Sequence, residues 1–227
     1  MMRVAILSDL HANLPAFEAA LADLERRGAK VVLVAGDVVG DGPHPSEVVA
    51  LLRQRAIPTI RGNVERKVLE AASLTEAELA LRTGRKKQAD LLSTARRLGR
   101  EDLDWLRALP ASLDLRLAGS RLLLVHGSPL ADTDYVYPSL TARALAAKLG
   151  TDRPDVLACG HSHIPFTRRI AGVAVVNAGS VGRSIDGDPR GAYALLDLDS
   201  GALPRARIVR FPYPSGRPAA DRVPEPG

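Results

Sequence analysis

The sequence predicts an α/β fold of two facing sheets with helices on the outside, and three observations lead there. Short apolar runs ending in polar, chemically useful residues recur between Val4 and Ile60, helical spacing separates them, and strand-like pieces dominate after Pro110. Two sets of apolar strands need cover, and packing one sheet on the other beneath helices provides it.

Val4 to Leu7 precedes Ser8-Asp9, Val31 to Ala35 precedes Gly36-Asp37, and Ile57 to Ile60 precedes Gly62-Asn63. Each run reads as a buried strand that feeds a loop. Between the first two, Leu14, Phe17, Ala20, Leu21 and Leu24 recur at helical spacing, and Ser46 to Arg55 reads as a second helix that the serine can cap. This alternation predicts parallel pairing of the first strands. From Val64 to about Leu109 the pattern is helical and strongly charged. Thr75 and Glu78 there have the spacing of a capping box, Trp105 and Leu109 are candidate anchors, and the stretch 64–109 reads as a helical insertion. Further strands are expected at Leu113 to Leu117, Leu122 to Val125, Val156 to Cys159, Val173 to Val176 and Tyr193 to Leu198, with a helix at about Thr141 to Leu149. One domain is expected over residues 1–210. Residues 211–227 hold five prolines and little apolar content, which predicts an extended or disordered tail.

Bulk properties narrow the function classes. At 227 residues and 46% hydrophobic content the chain can bury a substantial core. It has no apolar run long enough to span a bilayer, and MMRVAILSDL does not read as a signal peptide, so a cytoplasmic location without a membrane partner is expected. The single cysteine, Cys159, lies in an apolar run and reads as a buried structural thiol, which excludes an internal disulfide. The net charge of +5 is mostly arginine spread over helical faces, with Arg85, Lys86 and Lys87 as a short basic cluster. Such a surface favours anionic substrates and keeps nucleic acid as an alternative one. Oligomeric state has no signature here.

Four of the five histidines sit at strand ends, in Asp9-Leu10-His11, His126-Gly127 and Gly160-His161-Ser162-His163. Any one of them alone would read as a hydrogen-bonded structural residue, and Gly36-Asp37 alone as a turn. The joint pattern reverses that reading. Parallel strands present their C-terminal ends on one edge, so Asp9, His11, Asp37 and Asn63 are expected to converge. Carboxylates, imidazoles and one amide make a mixed oxygen and nitrogen shell, suited to manganese, iron, zinc, nickel or magnesium, with manganese preferred. Seven side chains exceed what one catalytic ion with open positions needs. They divide between two divalent ions about 3.5 to 4 Å apart, with Asp37 as the natural bridge.

Asp-x-His, Gly-Asp, Gly-Asn, a later His and Gly-His-x-His, in this order, resemble the calcineurin-like metallophosphoesterases. The resemblance runs from Arg3 to about Leu198 and includes Ser8 to Asn13, Gly36 to Gly40, and Asn177 to Gly182. The compact layout resembles the small bacterial and archaeal phosphodiesterase branch. The resemblance implies a four-layer αββα sandwich of two mixed sheets. It also implies a first metal held by Asp9, His11, Asp37 and His163 and a second held by Asp37, Asn63, His126 and His161. Water activated between the ions would attack phosphorus in line with the leaving oxygen. Asn177 and Ser180 are candidates to orient the ligands, or form a plain turn.

One position departs from the pattern. Many members of the resembling family follow Gly-Asn with a histidine that contacts phosphate and protonates the leaving group, whereas here Val64 follows Asn63. Loss of a general acid removes a factor of about 10² to 10⁴, most for poor leaving groups. Activity is expected to tilt toward activated leaving groups, and the resemblance to the small phosphodiesterase branch, where this position is also replaced, implies a preference for diesters, with His44 in Asp41-Gly42-Pro43-His44-Pro45 as the candidate replacement acid or else a turn residue. Asn13 either touches the substrate phosphate or caps the first helix. The expected activity is hydrolysis of a small phosphodiester or nucleotide. The alternatives are a phosphomonoesterase, phosphoprotein phosphatase or nuclease of the same family, and, in a different class, a protein-binding scaffold of the same fold.

Overall fold

The computed structural model describes residues 1–82 and 84–214, so most of the expected tail lies outside the described residues. Strands β1 (Met2–Leu7) and β2 (Val31–Val34) pair in parallel, with α1 (Leu14–Arg26) crossing between them. Helix α2 (Pro45–Gln54) follows, then α3 (Asn63–Ser73), α4 (Glu76–Arg82), α5 (Arg85–Arg97) and α6 (Arg100–Ala108). The second half contributes β3 (Ser112–Leu117), β4 (Ser120–Val125), α7 (Ala142–Leu149), β5 (Val156–Cys159), β6 (Phe166–Ile170), β7 (Val173–Asn177), β8 (Gly191–Leu198) and β9 (Arg205–Phe211).

Two mixed sheets result, ordered β2-β1-β8-β9 and β3-β4-β5-β7-β6. In the first sheet β8 runs antiparallel to both β1 and β9. In the second, β4, β5 and β7 are mutually parallel between antiparallel edges. Period-two alternation divides the core. Val4 and Ile6 face Leu122, Leu124, Val156 and Ala158 between the sheets, while Ala5 and Leu7 face Phe17, Leu24 and Leu52 of the helical layer. Leu157, Cys159 and Val175 turn the other way, onto Leu145 and Leu149 of α7. Helices, sheet, sheet and helix therefore form the αββα sandwich. Each fully buried side chain of the size of Phe17 or Leu7 contributes about 1.5–3 kcal/mol through its removal from water.

Several elements differ from the sequence reading. The run Ile57 to Ile60 is not a strand but a single β-bridge between Thr59 and Val34, because the chain enters through Pro58 and leaves toward α3. Ser46 does not cap α2. His44 is the N-cap residue, Pro45 opens the helix, and the Ser46 hydroxyl donates to Arg97 O and Asp102 instead. The Thr75 and Glu78 capping box forms, with Glu78 N donating to Thr75 Oγ1 at 3.3 Å and Thr75 N to Glu78 Oε2 at 2.9 Å. Phe211, placed at the start of the tail, is the buried last residue of β9 and packs on Tyr193. Among the described residues no helix is long and apolar enough to cross a membrane.

Candidate active site

The loops after β1, β2, β4, β5 and β7 meet at one end of the sandwich, and main-chain bonds zip them together. His11 N donates to Asp37 O (3.0 Å), Gly160 N to His126 O (2.9 Å), and Gly182 N to Asp9 O (3.0 Å). Two groups result: Asp9, His11 and His163, all buried, and Asp37, His126 and the partly buried His161, with the ligand atoms of each group within 4.8 Å of one another. Asn63, the first residue of α3, faces the second group through Oδ1, 2.9 Å from His126 Nε2. All seven residues singled out as ligands are thus brought together.

The backbone is forced to do this. Asp9, His11, Asp37, His161 and His163 all have positive φ, between 46° and 64°. Non-glycine residues in that region cost about 1 kcal/mol or more each, a strain that collects at functional sites. Two motif glycines are needed for close approach. A Cβ at Gly160 would lie 2.5 Å from Asp9 Oδ2, and one at Gly62 would lie 2.3 Å from Asp37 Oδ1.

Hydrogen bonds fix which nitrogen two of the imidazoles, His126 and His163, offer. His126 Nδ1 donates to Ala35 O (2.6 Å) and His163 Nδ1 donates to Arg183 O (2.7 Å), since a carbonyl only accepts. Each Nε2 is therefore aimed inward, 3.4 Å from Asp37 and 3.1 Å from Asp9 respectively. His11 Nε2 lies 3.2 Å from His163 Nε2, and its Nδ1 lies 3.5 Å from Asp41. Burial opposes ionisation of Asp9, but His163, His11 and His126 outweigh it and hold the carboxyl well below the usual carboxylate range. Burial likewise works against charge on His126, yet Asp37 pushes it up to about 10. His161 is lowered, by burial first and then by the charge of His126.

These residues fit divalent cations. Asp9 Oδ1, His11 Nδ1 and His161 Nε2 are buried without hydrogen-bond partners. The Asn63 amide has two settings. With its oxygen inward it completes an oxygen and nitrogen donor set. Turned over, its nitrogen donates to His161 Nδ1 (2.8 Å) and His126 Nε2 (2.9 Å), and its oxygen accepts from Lys67 Nζ (2.7 Å). Only the first setting presents an oxygen to a cation.

The supporting shell was largely invisible in the sequence. Glu65 is fully buried, and its carboxylate accepts from the backbone N–H groups of Asp37 (2.9 Å), Val38 (2.8 Å), Val39 (3.2 Å) and Gly62 (2.7 Å). It ties two ligand loops together, and its place two residues after Asn63, at N3 of a helix, was the signal for it. Asn177 Nδ2 donates to Gly160 O (2.8 Å) and Ser162 Oγ (3.0 Å), and Ser180 Oγ donates to Asp9 O (2.8 Å), so both orient ligand loops. Lys67 and the exposed Tyr135, on which Tyr137 stacks, also border the second group. Two candidates fall outside it. The Asn13 amide caps α1 at Ala16 N (3.2 Å) and donates to Gly182 O (2.9 Å), the second of the two roles expected of it. The His44 ring lies at the surface, 3.3 Å from Glu47, and joins neither ligand group. Val64 packs on Gly40, and its backbone N donates to Asp37 Oδ1 (2.8 Å).

Residues 2–201 match the family model described as the calcineurin-like phosphoesterase superfamily domain. The chain is 28% identical over 227 residues to the uncharacterized protein MJ0912 of Methanocaldococcus jannaschii, covering 92% of this chain and 87% of that one. It is 26% identical over 200 residues to phosphodiesterase YfcE of Escherichia coli strain K12, covering 88% and 89%. A crystal structure of a metallophosphoesterase from Sphaerobacter thermophilus superposes with a TM-score of 0.75 at 29% identity, over 94% of this chain and 89% of that one. Strand-end carboxylates and imidazoles, the αββα sandwich and the match across most of the chain agree: it belongs to the calcineurin-like phosphoesterase superfamily and is a metallophosphoesterase.

Proposed function

We propose that the protein is a phosphodiesterase that hydrolyses a small phosphodiester or nucleotide with two divalent ions. Asp9, His11, Asp37 and His163 would hold one ion, and Asp37, Asn63, His126 and His161 the other. The observation that carries this reading is the pair of adjoining carboxylate and imidazole groups in which buried polar atoms lack hydrogen-bond partners. Oxygen and imidazole donors without thiolate suit manganese, iron, zinc, nickel or magnesium, and manganese is the ion we put first. When bound, the ions supply the Lewis acidity that activates water and neutralises phosphoryl oxygens.

The chain's own residues do the rest. His126 and His163 are locked with Nε2 inward by their carbonyl partners, and Glu65 holds the Asp37 and Gly62 loops in register. The Lys67 ammonium, beside Asn63, adds positive charge where a phosphate oxygen would lie. Val64 cannot protonate a leaving oxygen, and His44, the acid candidate, faces Glu47. Esters with activated leaving groups demand least of that proton, and the diester preference is supported by the similarity to phosphodiesterase YfcE. The reading keeps the cytoplasm as location, nucleic acid as an alternative substrate, and α3–α6 as a helical insertion that shapes specificity.

Turnover of bis-nitrophenyl phosphate against nitrophenyl phosphate by the manganese-reconstituted protein tests this. Faster diester hydrolysis is expected. Faster monoester hydrolysis overturns the diester assignment, and hydrolysis of neither overturns the catalytic reading.

A further inference from the structure

Tyr135 and Tyr137 lie in the segment between β4 and α7, which starts at His126. They flank Val136, which is fully buried, yet they are themselves 46% and 41% exposed. The Tyr135 ring stacks on the His161 imidazole, with centroids 4.5 Å apart and planes 25° from parallel. It also stacks on Tyr137, at 5.2 Å and 10°. A row of three nearly parallel rings thus begins at a residue of the second ligand group and runs outward to solvent, within the offset-stacking range of aromatic pairs.

The segment that carries the tyrosines is held in place. Asp132 pairs with Arg66 through two bonds (2.8 and 3.0 Å), and Asp134 accepts from Ser128 Oγ and Lys148 Nζ. Asn177 Nδ2 donates to Val136 O (3.3 Å), and Arg168 donates to Leu140 O (3.1 Å). An aromatic surface fixed before binding spends little entropy on becoming ordered. Any flat ring has a face that stacks on tyrosine, and a base stacked this way contributes measurably to affinity whatever its sequence. Charge adds a phosphate preference at the inner end of the row, where Lys67 Nζ borders Asn63.

We propose that Tyr135 and Tyr137 form a stacking platform for a planar aromatic group on the substrate, so that the protein favours phosphate esters bearing a nucleobase or aryl ring over alkyl esters. The inference rests on the phosphodiesterase reading above and adds the class of group beside the phosphate. The His161 contact by itself would be explained by orientation of that imidazole, which would serve all substrates equally. Discrimination between ring and alkyl substrates is what sets the platform apart.

Three diesters that share the ring-free leaving group trifluoroethoxide, followed by fluorine NMR, isolate the effect: the thymidine 5′-phosphate ester, the phenyl phosphate ester and the methyl phosphate ester. With the manganese-reconstituted full chain, kcat/KM for the two ring-bearing esters should exceed that for the methyl ester by about tenfold, mainly through KM. Tyr137→Ala should bring the ratio close to one, and Tyr137→Phe, which keeps the ring, should retain it. Thymidine exceeding phenyl assigns the platform to a nucleobase, and parity assigns it to any aryl ring. Equal kcat/KM for all three esters in the wild type, or a ratio unchanged in Tyr137→Ala, overturns the proposal while leaving the phosphodiesterase reading intact. Calorimetry gives a readout independent of turnover. Thymidine 5′-monophosphate should bind about tenfold more tightly than ribose 5-phosphate to the wild type but not to Tyr137→Ala. Should all three esters resist hydrolysis, this difference still decides the platform, and equal binding overturns it.

Discussion

The two ligand groups are built from the same chemistry but are set differently in the fold. Asp9, His11 and His163 are all buried, roofed by the segment from Ser180 to Arg183 and by Asp41. In the second group Asp37 and His126 are as deeply buried, but His161 is only partly so, and Asn63, Lys67 and Tyr135 sit around it. The first group reads as an enclosed site and the second as the side that meets substrate. Their supports differ as well. Each has one histidine fixed by a main-chain carbonyl, but the first leans otherwise on the small polar residue Ser180, the second on one buried carboxylate, Glu65, that gathers four backbone donors.

The largest effect is expected where the groups join. Asp37→Asn removes the shared carboxylate, and activity on bis-nitrophenyl phosphate should fall by about 10³ or more. A variant that keeps a tenth of the activity would place the bridge elsewhere. Next comes the support of the second group. Glu65→Gln puts an amide N–H₂ against buried backbone donors, which should cost about 2–4 kcal/mol in chemical denaturation and about 10- to 100-fold in affinity for the weaker of two bound ions. Equal weakening of both ions would erase the contrast drawn above.

A subtler consequence concerns protons. Burial disfavours the charged form of His126, but the Asp37 carboxylate prevails and raises its pKa from 6.5 to about 10. In metal-free protein its contribution to stability is therefore complete below about pH 6.5 and fades as pH climbs toward 10. A cation must displace that proton. Manganese binding near pH 7 should release about one proton from His126, seen by calorimetry in buffers of different ionisation enthalpy. Proton-neutral binding would show that no proton on His126 is displaced by the ion. The smallest effect is expected at His44. Its ring faces Glu47 at the surface, so His44→Ala should change kcat by less than about twofold across pH. A large loss confined to poor leaving groups would restore it as the acid.

The contrast between the groups also shows which features were legible in the sequence. Every ligand stands at the end of an apolar run or opens a helix, so strand-end chemistry marks it before any fold is known. The αββα layering followed from the same runs. Strands β6 and β9 escaped because they are edge strands whose exposed positions are arginines, Arg168 and Arg169 in one and Arg205 and Arg207 in the other, so their apolar content is too thin to stand out. Ile57 to Ile60 looked like a strand because it is apolar, but apolarity reports burial and not pairing, and only Thr59 makes a bridge. Glu65 and Tyr135 act on Asp37 and His161 through contacts over long sequence separations. Carbonyl partners such as Ala35 O and Arg183 O leave no trace in residue identity at all.

Metal stoichiometry tests the central claim most directly. The full chain, stripped with chelator, reloaded with manganese and desalted, should carry two ions per chain by elemental analysis, falling to one when Asp9 is changed to alanine. A wild-type protein that retains none, or that saturates at one ion while fully active on phosphodiesters, would contradict the two-ion account.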